Sequence, residues 1–203
     1  TLITSSAASD VYKRQADRIV AGTYIIAALM LNSALEINNF NTIYLKSLID
    51  ILKKMGAKLK VSKNSIKVSK GSKLKSTSFS TSPYPGFPTD LQAQLMSLMC
   101  ISDGKSKIKE TIFENRFMHV PELNRLGANI TVEKDTATII GNQTFKGAQV
   151  MASDLRASIS LVLAAMNANG QTTLNRVYHL DRGYENIEKT LGSLGVNIKR
   201  KKN

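Results

Sequence analysis

One phrase occurs three times along these 203 residues: a helical run opening on Asp, a short strand ending in an aromatic, and a helix closing on Met/Leu-Gly-Ala/Val. The aspartates are Asp17, Asp90 and Asp154, the aromatics Phe40, Phe113 and Tyr178, and the glycines Gly56, Gly127 and Gly195. From Asp to Gly the copies span 39, 37 and 41 residues, and from aromatic to Gly 16, 14 and 17. A period this regular makes each copy one supersecondary unit that cannot bury its apolar face alone, so the copies must pack on one another.

In the first copy RIVAGTYIIAALML reads as a buried helix, ALEINNF as a strand, and YLKSLIDILKKM as an amphipathic helix with Leu45, Leu48, Ile49 and Leu52 on one face. Gly56 falls where a helix wants a left-handed closing residue. A hairpin around Lys63-Asn64 and a short strand in STSFST follow. The second copy repeats the order from Asp90, with Pro121 early in its second helix, where the missing amide is harmless. The third runs from Asp154 through VNIKRK and lacks the hairpin and extra strand of the other two, so its missing strands are expected to come from elsewhere. The expected limits are about 17–83, 84–151 and 152–203, within one domain over 17–203. Residues 1–16 carry none of the pattern and are expected to be foreign or disordered.

Where equivalent positions differ in polar residues, packing is the weaker explanation. An Asp at a helix start is ordinarily an N-cap. The third copy adds Arg156 two residues on, where the helix dipole favours an anion over a cation. After the aromatic, the first copy has no charge, the second has Arg116 and the third Arg182. If the units surround a pseudo-threefold axis, these loops emerge on one rim. Arg116, Arg156 and Arg182 can then converge on one anion beside Asp90 and Asp154, a task suited to the planar guanidinium fork. The Pro-rich run Ser82–Asp90 would hold Thr89 and Asp90 rigidly, as a general base or a hydroxyl-binding carboxylate requires.

Composition removes other functions. No run of about 18 apolar residues exists to span a membrane. No Cys/His set has zinc-ligand spacing, and the two histidines, His119 and His179, lie far apart. The single Cys100 sits in an apolar helix and is expected to be a buried, inert thiol, consistent with a reducing cytosol. The net charge of +13 invites a nucleic-acid reading, and nine of the lysines fall between Lys53 and Lys75 with no acid among them. They alternate with apolar residues as a hairpin with one wet face, and no nucleic-acid-binding motif accompanies them, so they read as a solvated face.

Four segments, YPGFPTDLQAQ (84–94), ETIFENRFMHVPEL (110–123), GAQVMASDLRAS (147–158) and YHLDRGYENIE (178–188), closely resemble the UDP-N-acetylglucosamine enolpyruvyl transferases of bacterial peptidoglycan synthesis. The likeness runs from about Asp17 to the C-terminus. It implies an α/β (α+β) fold: an inside-out α/β barrel, or prism, of three βαβαββ repeats around a pseudo-threefold axis, here with an incomplete third repeat. It also implies transfer of enolpyruvyl from phosphoenolpyruvate to the 3-hydroxyl of UDP-N-acetylglucosamine with release of phosphate. That is the first committed step of peptidoglycan synthesis, in the cytoplasm, and needs no metal and no cofactor. By position, the resemblance makes Asp90 the general base; Thr89, Ile112 and Phe113 line the sugar-nucleotide site; Arg116, Arg156 and Arg182 form the anionic clamp, with Arg182 the best candidate for binding phosphoenolpyruvate; and Asp154 orients groups from a second domain.

In that family the second domain carries a cysteine-bearing loop and an N-terminal lysine, both missing from this sequence. The chain therefore resembles a C-terminal half, expected to be inactive alone, whose partners are the two substrates and the missing N-terminal domain, with neither nucleic acid nor membrane. Two alternatives stay open: a domain like 5-enolpyruvylshikimate-3-phosphate synthase, and a non-enzymatic basic repeat module that binds an anionic partner.

Overall fold

The structure is a computed structural model that describes residues 17–201; the expectation for residues 1–16 lies outside the described residues. Helix α1 (Arg18–Met30) begins on Asp17, whose carboxylate accepts from the Ile19 and Val20 amides. Strand β1 (Leu35–Asn38) follows, then a 3-10 turn (Thr42–Leu45) running into α2 (Lys46–Lys54). The expected apolar face is buried: Leu45, Leu48, Ile49 and Leu52 are each at most 5% exposed. Hairpin strands β2 (Leu59–Val61) and β3 (Ser65–Val68) pair antiparallel, and β1 joins β3 to give the order β1-β3-β2.

The second sheet has the order β4-β5-β7-β6, from β4 (Phe79–Ser80), β5 (Lys105–Lys109), β6 (Asn129–Glu133) and β7 (Thr136–Ile140). Here β4 lies parallel to β5, while β6 and β7 form the hairpin. Between β4 and β5 runs α3 (Gln92–Ile101), and α4 (Val120–Arg125) precedes the hairpin. In the third copy β8 (Gln149–Met151) pairs parallel with β9 (Thr173–Asn175) around α5 (Leu155–Met166), followed by the short α6 (Tyr178–Asp181) and by α7 (Ile187–Ser193). No hairpin extends this sheet among the described residues.

The middle of the molecule is helical. Nine of the ten α3 residues are buried, and α3 packs against both α1 and α5. A helix apolar all round has no solvent face to offer, which is why it sits inside while the sheets lie outside. Two of its polar residues are bonded to neighbouring helices: Ser97 Oγ donates to the Ser160 carbonyl at 3.1 Å, and Gln94 Nε2 to Thr23 Oγ1 at 3.4 Å. Thr23 also bonds the Tyr184 hydroxyl at 2.7 Å, tying α1 to the third copy. Cys100 lies in this interior, fully buried, and burial pushes its thiol up to about 12, so it is an inert thiol at neutral pH.

One expectation needs correcting. The strands do not reach the repeat aromatics: β1, β5 and β9 stop at Asn38, Lys109 and Asn175. Left-handed residues intervene in two copies, Asn39 (φ 65°) after β1 and Arg176 (φ 58°) after β9, and neither conformation continues a strand. The aromatics therefore stand in loops or helix starts, and Phe40 is buried at 5% exposure whereas Phe113 and Tyr178 are 57% and 60% exposed.

Candidate active site

The three aspartates of the repeat end in two different states. Asp17 and Asp154 are N-caps, the latter accepting from the Arg156 and Ala157 amides at 2.7 and 2.9 Å. Asp90 caps nothing with its side chain, because it lies inside a 3-10 turn (Thr89–Leu91) that precedes α3. Its carboxylate is thereby released for tertiary partners. Oδ1 accepts from Arg156 Nε at 3.0 Å and from Arg116 Nη2 at 3.4 Å. Oδ2 has no partner among the described residues, and the side chain is 42% exposed.

Each arginine arrives by a separate element. Arg156 is the second residue of α5, and the cap that Asp154 makes on the Arg156 amide orients that first turn. Arg116 comes from the loop after β5, with its guanidinium carbon 5.4 Å from the centre of the exposed Phe113 ring. Three chain segments, 66 residues apart at the extremes, thus meet at one carboxylate oxygen. Arg182, expected to join them, lies exposed at the C-terminal end of α6 and makes no ion pair among the described residues. Asp181, its neighbour, is instead held by Arg200 at 2.6 and 2.9 Å. Asp154, expected beside the arginines, uses its Oδ1 for the ordinary helix cap of an Asp at a helix start.

Ile112 and Phe113 border an open cleft of about 670 Å³, closed on its other side by Lys134 and Asp135 at the β6–β7 turn. Arg116 joins the two features, lining the cleft and bonding Asp90. Thr89 is buried behind Asp90, its hydroxyl donating to Glu110 Oε2 at 2.9 Å.

Two groups at the site were not assigned to it from the sequence. Glu110 is 4% exposed and accepts from side chains and amides of both loops. His119 is 2% exposed, and its Nε2 has no partner. Burial drives the imidazole down to about 4; the Asp154 charge opposes that shift, and the Arg116 charge adds to it. Glu110 had a legible signal: in β5 the residues Ser106 and Ile108 face inward, and Glu110 has the same parity. For His119 no such signal exists, because it lies at the start of a six-residue helix.

The fold thus presents one carboxylate gripped by arginines from two of its three copies. The chain belongs to the EPSP synthase (3-phosphoshikimate 1-carboxyvinyltransferase) family, whose profile matches residues 5–191. It is 53% identical over 189 residues to the UDP-N-acetylglucosamine 1-carboxyvinyltransferase of Pelagibacter ubique, a match covering 93% of this chain and 45% of that protein. To UDP-N-acetylglucosamine 1-carboxyvinyltransferase 2 of Mesorhizobium japonicum it is 51% identical, over 91% of this chain and 44% of the relative. The chain thus spans about half the length of the curated relatives it matches. Among solved structures, the enolpyruvyl transferase NikO from Streptomyces tendae superposes with a TM-score of 0.83 at 30% identity, over 91% of this chain and 44% of that one. EPSP synthase from Acinetobacter baumannii shares the fold, with a TM-score of 0.75 at 16% identity over 93% of this chain and 47% of that one. Among the described residues no helix is long and apolar enough to cross a membrane.

Proposed function

We propose that the chain is the C-terminal half of a UDP-N-acetylglucosamine 1-carboxyvinyltransferase, with residues 17–203 as one domain. The enzyme moves enolpyruvyl from phosphoenolpyruvate to the 3-hydroxyl of UDP-N-acetylglucosamine, releasing phosphate, in cytoplasmic peptidoglycan synthesis. The observation that carries this reading is Asp90, anchored through one oxygen by Arg116 and Arg156 and left with the other free to accept, in a chain 50 to 53% identical to relatives named for that activity.

In this reading the sugar 3-hydroxyl gives its proton to Asp90 as its oxygen bonds to the carbon that carries phosphate, whose double bond opens as the neighbouring methylene carbon takes up a proton. Loss of a proton from the resulting methyl group and cleavage of the bond from that carbon to the phosphate oxygen restore the double bond and release phosphate. Thr89, Ile112 and Phe113 form the wall for the sugar nucleotide. Arg116, Arg156 and Arg182 meet the anionic charge of phosphoenolpyruvate, and Asp154 aims Arg156 through the helix cap. The other half of the enzyme, a second domain of similar size, closes over both substrates.

The test is Asp90→Asn in the full-length enzyme. A positioned general base contributes about 10²–10⁴-fold, so kcat should fall at least that far with the melting temperature preserved. Near-native turnover would remove Asp90 from the base role. Offering shikimate 3-phosphate in place of the UDP-sugar checks the acceptor, and preferential use of the shikimate compound would overturn the assignment.

A further inference from the structure

Glu110 follows β5 on the side of the strand that faces inward, after Ser106 and Ile108, and is 4% exposed. A carboxylate removed from water is tolerated only when its oxygens are bonded. No cation pairs with Glu110 among the described residues, and four donors meet it instead. Oε1 accepts from Thr81 Oγ1 at 2.7 Å, from the Ile112 amide at 2.9 Å and from the Phe113 amide at 3.3 Å. Oε2 accepts from Thr89 Oγ1 at 2.9 Å. The Thr81 hydroxyl is the donor in its pair with Oε1, because a carboxylate oxygen only accepts, and the hydroxyl oxygen also accepts the Thr111 amide at 2.9 Å.

These donors belong to separate pieces of the candidate site. Thr89 opens the turn that carries Asp90, and Ile112 and Phe113 border the cleft. Thr81 stands just past β4, with its amide on the Lys109 carbonyl at 2.9 Å, and so ties the Pro-rich loop to the end of β5. One carboxylate therefore fastens the base-bearing turn to the aromatic-bearing loop.

We propose that Glu110 is a positioning residue for the sugar-nucleotide side of the site: it touches no reacting atom and sets the separation of the Thr89–Asp90 turn from the Ile112–Phe113 loop. This rests on the transferase reading above. The bonding pattern also ranks substitutions. Glu110→Gln can keep its carbonyl oxygen toward the three donors at Oε1 and turn its amide to the Thr89 hydroxyl, which is able to accept. Glu110→Ala loses all four bonds. Thr81→Val removes one donor and leaves the carboxylate.

The experiment uses the full-length enzyme and two readouts: hydrogen exchange at the Ile112 and Phe113 amides, and KM for UDP-N-acetylglucosamine relative to KM for phosphoenolpyruvate. In Glu110→Ala exchange at both amides should quicken while the β5–β7 ladder stays protected. The KM ratio should rise on the order of tenfold, the scale of a lost hydrogen bond to a charged group. Glu110→Gln should restore most of both, and Thr81→Val should fall between. A core control, Ile26→Val in α1, should leave the ratio unchanged. Unaltered exchange at Ile112 and Phe113 would overturn the clamp, and faster exchange with an unmoved KM ratio would overturn its positioning role for the sugar nucleotide. If Glu110→Ala fails to fold, the other two variants carry the same readouts. A native enzyme without transfer activity would remove the functional reading, whereas the exchange arm would still decide whether the clamp exists.

Discussion

Asp17, Asp90 and Asp154 occupy one place in the repeat, yet only Asp90 is free of helix capping, since a 3-10 turn carries it past the amides that the other two satisfy. Repeat position alone named all three, and the arginine contacts separate them. His119 offers a test at this scale. Its folded pKa of about 4 lies below the ordinary 6.5 because burial penalises the cation. Between those values the unfolded chain binds a proton that the folded one refuses, so its contribution to stability is complete above about pH 6.5 and lost as pH falls toward 4. At about 1.4 kcal/mol per pKa unit the full loss is on the order of 3 kcal/mol. Urea unfolding of the native protein and of His119→Gln at pH 7 and pH 5 checks it: the native protein should lose more on acidification. Equal losses would show that the imidazole titrates normally.

At the level of elements, α1, α3 and α2 were legible because apolar content and helical period report directly on burial. Strand ends were not. β5 stops at Lys109 although SKIKETIF reads as one strand, because the Thr111, Ile112 and Phe113 amides bond Thr81 and Glu110 side chains rather than a neighbouring strand. Those partners lie up to 30 residues away in sequence, beyond any local pattern. The closing glycines were legible, and all three have positive φ: 95° at Gly56, 102° at Gly127 and 92° at Gly195. They differ in surroundings. A Cβ at Gly56 would lie 2.9 Å from the Lys73 carbonyl oxygen, whereas one at Gly195 would meet nothing within 4 Å. Gly195→Ala should cost about 1 kcal/mol from backbone conformation alone, and Gly56→Ala clearly more. Chemical unfolding of the two variants gives the comparison, and equal losses would place the whole cost in the backbone.

For the whole molecule, two of the three copies supply the arginines of the site and the first supplies buried packing, with Phe40 in the core where Phe113 faces solvent. Ordering and enclosing two substrates needs a second wall. On the proposed function, residues 17–203 alone should release no phosphate from phosphoenolpyruvate in the presence of UDP-N-acetylglucosamine, whereas the full-length enzyme should; a phosphate-release assay decides it, and turnover by the short chain would overturn the two-domain reading. What the sequence determined by itself was the threefold repeat, the apolar faces and the turn glycines, because each depends on residues only a few positions apart. What only the tertiary structure decided was which repeat aspartate stays uncapped, that Arg116 and Arg156 meet on it while Arg182 stands apart, and that a buried Glu110 ties the loops together. Those outcomes depend on contacts between copies, where the partner of a charge is chosen by packing geometry and not by its neighbours in the chain.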